Sequence, residues 1–172
     1  MHTCGRSLIP SALRSTQPIV LLCTVAALSG CHESKREHAL PPPEARRLLL
    51  DRNWLDHLPQ TPQDRLHVFR FVPSMGGGVF QDRTLYAGHF ELFHFDQDGR
   101  QIHFKLPHTD EDRRTSFFIE PLHAPDEDTP FELHLHIEGS PRGPSDYYSL
   151  RGERSTDLDA SLSRILSQSG TR

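Results

Sequence analysis

Phe131-Glu132-Leu133-His134-Leu135-His136-Ile137-Glu138 alternates apolar and polar side chains without a break. A period of two marks a strand with one buried and one solvated face. It predicts that Phe131, Leu133, Leu135 and Ile137 point inward and Glu132, His134, His136 and Glu138 outward. Upstream, residues 101–106 repeat the pattern. Ile102, Phe104 and Leu106 face one way, and Gln101, His103 and Lys105 the other. Asp98-Gly99 stands just before them, and an Asp-Gly pair between apolar runs is a hairpin signal. It joins 101–106 to a strand over 88–95.

The rest of the chain fits this frame. Residues 66–72 read as a strand ended by Pro73, and a short one begins at Val79-Phe80 after the flexible turn Met75-Gly76-Gly77-Gly78. Further strands fall at 115–120 and around 147–150, and the β pattern starts at Asn53. The strand at 88–95 carries a conflict. Phe90 and Leu92 have one parity and Phe93 and Phe95 the other, and a bulge would reconcile them. The inward candidates (Phe69, Phe71, Phe90, Ile102, Phe104, Phe117, Ile119 and the four above) are nearly all bulky, so the interior is expected to be filled. Residues 44–50 suit one or two helical turns. Residues 157–167 read as a helix capped by Asp157, with Leu158, Leu162, Ile165 and Leu166 as its stripe. The expected fold is mainly β: a small antiparallel barrel or sandwich of seven to eight strands with a C-terminal helix.

Residues 1–30 differ from the rest. They hold Arg6, Arg14 and no acid, whereas all 23 Asp and Glu lie after Cys31. Residues 18–28 form an apolar run too short to span a bilayer, which needs about 20 residues, but of signal-peptide length. Leu28-Ser29-Gly30-Cys31 closes it and resembles the lipobox of bacterial lipoproteins. The resemblance implies cleavage before Cys31, a thioether-linked lipid on its sulfur, and attachment to a membrane. His32 stands where an Asp would retain an enteric lipoprotein at the inner membrane, which favours the outer one. Residues 1–30 are thus expected to be a signal peptide, 31–43 a lipidated cysteine and a proline-rich tether, and 44–172 one β domain. Cys4 and Cys23 would leave with the leader, so no disulfide or thiolate metal cluster is expected. Roughly 140 residues bury a core without such staples.

An N-terminal strand bearing Trp54, a meander of hairpins and a last strand followed by a helix also resemble the lipocalin superfamily. There a tryptophan closes the barrel floor and a basic residue from the last strand packs over it; Trp54 and Arg151 would take those places. The family's glycine before the tryptophan is replaced by Arg52-Asn53, and its disulfide is absent.

Candidate sites are few. The loop 140–146, stiffened by Pro141 and Pro144, offers Arg142, and Tyr147 and Tyr148 follow it; with Trp54 these are the candidate ligand-binding residues. His134 and His136 share a strand face, and His103 on another strand is a candidate third metal ligand. No HExxH or GxSxG motif is present, and Gly76-Gly77-Gly78 lacks the Lys-Ser/Thr of a phosphate loop. The mild acidic excess argues against a nucleic-acid partner. The expectation is a non-enzymatic envelope lipoprotein, with no cofactor beyond its covalent lipid, that binds a small apolar or amphipathic ligand. The alternatives are a solid-cored structural or protein-interaction module, and a metal-binding protein using the surface histidines.

Overall fold

The computed structural model describes residues 38–122, 129–152 and 157–169. The leader, Cys31 and most of the tether lie outside them. Eight antiparallel strands run in sequence order round a closed barrel: β1 (Asn53–Leu55), β2 (Leu66–Val72), β3 (Gly77–Arg83), β4 (Gly88–Asp98), β5 (Gln101–Leu106), β6 (Glu111–Pro121), β7 (Phe131–Ile137) and β8 (Asp146–Leu150). Leu55 pairs with Tyr148 to close the ring. Helix α1 (Pro42–Leu49) precedes the barrel and α2 (Leu158–Ser169) follows it.

Large side chains fill the interior. Phe69, Phe71, Phe93 and Phe104 pack with ring centroids 5.4–6.0 Å apart, and Tyr147 meets Phe69 edge-on at 5.2 Å. Ile102, Ile119, Leu135 and Ile137 complete this core with no exposed surface. Pro42 and Pro43 belong to α1 and not to the tether. A proline in the first helical turn forfeits only an N–H that the helix leaves unpaired. Ala45 and Leu49 of α1 are buried in the barrel core, and the Leu49 carbonyl accepts a 3.0 Å hydrogen bond from Trp54 Nε1. Outside the barrel, Leu158 and Leu162 of α2 pack on Leu55, Leu66, Val68 and Leu150. Asp157 caps this helix, accepting from the Ala160 amide at 3.0 Å.

Three expectations need correction. Phe131 does not point into the barrel. A register shift between Phe131 and Leu133 breaks the alternation, and Phe131 joins the outer cluster under α2. Phe90 is not in the core either. β4 keeps regular register with both neighbours, so Phe93 and Phe95 face inward while Phe90 and Leu92 stand outside, 67% and 57% exposed. Finally, only Gly76 serves the turn, with φ of 72°. Gly77 and Gly78 open β3, where a Cβ on Gly78 would strike the Phe93 ring and the Arg70 carbonyl oxygen.

Gly78→Ala is therefore expected to destabilise the fold by ~1–3 kcal/mol, the range for overpacking a filled core. Gly99→Ala, in open space at a φ of 57°, should show only the milder cost of its backbone conformation. Urea unfolding midpoints of the two variants check the order.

Candidate functional site

The four candidate ligand residues do not share one pocket. Trp54 pairs with Phe69 of β2 and is fully buried with its indole N–H satisfied. The cation over its ring is Arg52, with its guanidinium carbon 6.0 Å from the centroid, and not Arg151, which is exposed. Arg52 is held there by Glu132 Oε1 at 2.7 Å and Ser149 Oγ at 3.1 Å. Tyr148 is on the outer face, stacked on His134. Tyr147 is buried inside, and burial pushes its phenol well above the ordinary range.

Tyr147 and Arg142 do meet. The Tyr147 hydroxyl donates to the Arg142 carbonyl at 2.9 Å, as does Ser140 Oγ at 2.6 Å. The guanidinium then reaches across the barrel mouth. Nε and Nη2 grip Glu91 of β4 at 2.6 and 3.0 Å, and Nη1 reaches Glu111 of β6 at 2.9 Å. Nη2 also reaches Thr109 Oγ1 at 3.1 Å. Arg142 thus has its donors committed to the protein, and its hydrogen bond holds the Glu111 carboxyl below the usual carboxylate range. It is a cross-brace between strands.

His134 Nε2 and His136 Nδ1 both lie 2.8 Å from Asp146 Oδ1 on β8. His136 stacks on Phe118 with centroids 4.9 Å apart, and His134 on Tyr148 at 5.1 Å. His103 is elsewhere, bonded to Asp112. It pairs with Arg114 of β6 while His136 pairs with Phe118, an offset of four residues, or ~13 Å along a strand. Among the described residues no three His, Cys, Asp or Glu groups come together to hold a metal ion. Burial raises the Asp146 pKa, but the hydrogen bonds from His136 and His134 outweigh it and the net shift is downward. His67 and Asp56 form a further pair, 2.7 Å apart. The other His67 nitrogen lies 4.0 Å from Asp82 Oδ1.

The unassigned feature lies on β3 and β4. A concavity of about 570 Å³ is lined by Val72, Met75, Val79, Phe90, Leu92 and Pro107, with His89, His94 and His108 among its polar groups and Gly77 and Gly78 also in its lining. Met75, Phe90 and Leu92 are more than half exposed. The groove follows a free strand edge. β4 pairs with β3 over Gly88–Phe93, but with β5 only over His94–Asp98. On the side away from β3, Gly88–Phe93 has no strand beside it among the described residues. The sequence did carry a signal here. The parity conflict of Phe90 and Leu92 with Phe93 and Phe95 marks a strand apolar on both faces.

Arg142→Ala should destabilise the fold by ~1–3 kcal/mol, less than a fully buried pair would, because Glu91 is largely buried and loses its counter-ion. Arg142→Lys should recover only part of it, lacking the fork; urea titrations of both variants decide. Asp146 has a lowered folded pKa, so its stabilisation is in place above pH ~4 and is lost as pH falls through the folded value. Asp146→Asn should therefore lose less stability than the parent chain on moving from pH 5 to pH 3, read from unfolding midpoints at each pH.

No family model, no curated protein and no solved structure matches this chain.

Proposed function

We propose that this chain is a lipid-anchored protein of the bacterial envelope that works by binding, without catalysis, through the outer face of β3 and β4. The observation that carries the reading is a division of apolar surface. The interior is filled by Phe69, Phe71, Phe93, Phe104 and Tyr147, so a guest inside the barrel would have to displace a packed core. Meanwhile Met75, Phe90 and Leu92 stand exposed round a groove beside a free strand edge. A contiguous exposed apolar patch on a folded domain marks an interaction site. The partner on this reading is another polypeptide of the envelope.

The anchor rests on the lipobox-like Leu28-Ser29-Gly30-Cys31. Lipid on Cys31 would fix the protein to a membrane, and His32 in place of an Asp favours the outer one. A second reading is supported by the groove's size. About 570 Å³ falls in the range of small-molecule sites, and apolar walls with imidazoles among them suit an amphipathic ligand.

Cys31→Ser in the full chain should abolish incorporation of labelled fatty acid and leave the protein extractable from membranes without detergent; retained label would sink the anchor. A photo-crosslinker at position 90 should capture an envelope polypeptide in intact cells, while the same group at exposed position 101 should not. Equal capture at the two positions removes the binding face. Copurifying mass in the lipid range by native mass spectrometry, lost in Leu92→Glu, would instead move the assignment to the amphipathic ligand.

A further inference from the structure

We propose that the partner of this face is a second copy of the same chain, joined through antiparallel pairing of the two β4 edges about a two-fold axis at Phe90. The inference rests on the reading of the β3–β4 face as the binding surface and names its occupant.

A free edge is a template for another strand, and folded proteins guard such edges with lysine, proline, bulges or an inward-pointing charge. Gly88–Phe93 has no lysine, proline or bulge. Its one inward charge is Glu91, and Arg142 of the same chain neutralises it at 2.6 and 3.0 Å. Among the described residues, then, no strand covers this edge and its one charged guard is neutralised.

The sequence of the edge selects its occupant. In a two-fold antiparallel pair, inward residues must meet inward ones and outward residues outward ones, so the axis passes through a residue. An axis through Phe90 sets the two Phe90 rings opposite each other on the outer face. It lays Leu92 across Gly88 of the other copy, and brings His89 opposite Glu91. That is an aromatic pair, a large residue over a small one, and an imidazole beside a carboxylate, used twice. Each is favourable across strands. An axis at Glu91 would oppose two carboxylates, and one at His89 two imidazoles. An axis at Leu92 would run the pairing into His94, whose backbone already pairs with Lys105. The Phe90 register alone satisfies all these terms. Five residues a side, Gly88–Leu92, make a small interface, so association is concentration-dependent. Holding both copies on one membrane surface raises their effective concentration.

The register gives the test. Opposed Cα atoms in an antiparallel pair lie ~4.5–5.5 Å apart, within disulfide reach, whereas Leu92 and its symmetry mate are offset by four residues, ~13 Å. Phe90→Cys, Leu92→Cys and Gln101→Cys are introduced singly into the full chain in the bacterial envelope. Mild oxidation and non-reducing gels follow, with the parent chain giving the background from Cys4, Cys23 and Cys31. All three positions are exposed, so none of the substitutions disturbs the core. Phe90→Cys should give about five-fold or more dimer than the other two, because only its thiols come within bonding distance. Adding His89→Glu, which opposes like charges, should cut that yield back. Phe90→Cys dimer no stronger than that of Leu92→Cys overturns the two-fold pairing. Should the photo-crosslinker at position 90 still capture a different envelope protein in that event, the binding face stands and its occupant is a foreign strand. Should both fail, the face itself is refuted.

Discussion

An eight-stranded barrel encloses about as much volume as one packing of large side chains requires, and the rest of this structure follows from how that volume is filled. Phe69, Phe71, Phe93, Phe104 and Tyr147 take the centre, with branched aliphatics round them. Because Phe93 presses against β3, two positions on that strand can carry no side chain, and they are Gly77 and Gly78. Because Tyr147 is inside, its hydroxyl needs an acceptor, and the Arg142 carbonyl supplies one. That bond fixes the loop from which the guanidinium reaches Glu91 and Glu111. Core packing at one end of the chain thus sets the electrostatics of the mouth. It also leaves the apolar side chains of Phe90 and Leu92 without an interior to enter.

Alternation was legible where water distinguished the two faces of a strand. β5, with Ile102, Phe104 and Leu106 inside, is such a case, and so is the stretch of β7 from Leu133 to Ile137. Alternation failed where the outer face had an apolar environment of its own. The seat of α2 lies outside the barrel, so Leu55, Leu66, Val68 and Leu150 are as buried as residues within it. Phe131 reads as the start of an inward row, yet a register shift lets it turn to that outer seat. Its neighbour Glu132 meets Arg52. Parity tells the two faces of a strand apart but not which of two apolar clusters claims each face.

The same limit explains the candidate sites. Trp54 was legible on the first strand, but the cation over its ring was not, because Arg52 and Arg151 are the same residue type and only the path of the chain decides which reaches the ring. His134 and His136 were legible as neighbours on one face. Asp146, which both imidazoles approach, lies ten residues and more downstream on another strand, and no local spacing announced it. The shared carboxylate and the flanking Phe118 and Tyr148 turn a metal-like pair into a packed polar cluster.

The open edge of β4 has a cause in its neighbour. β5 ends at Leu106, where Pro107 has no N–H to offer a ladder and the chain turns through Asp110 with φ of 53°. β4 extends six residues beyond the last β5 pair, and a strand that outruns its partner must be guarded, covered or used. Glu91 is placed as a guard would be, pointing inward at the middle of the free edge. A guard works by making an incoming strand bury an unpaired charge. Arg142 removes that penalty before any strand arrives, while leaving the backbone of Gly88–Phe93 uncovered by strand. The brace that steadies the barrel mouth therefore also makes the edge beside it receptive.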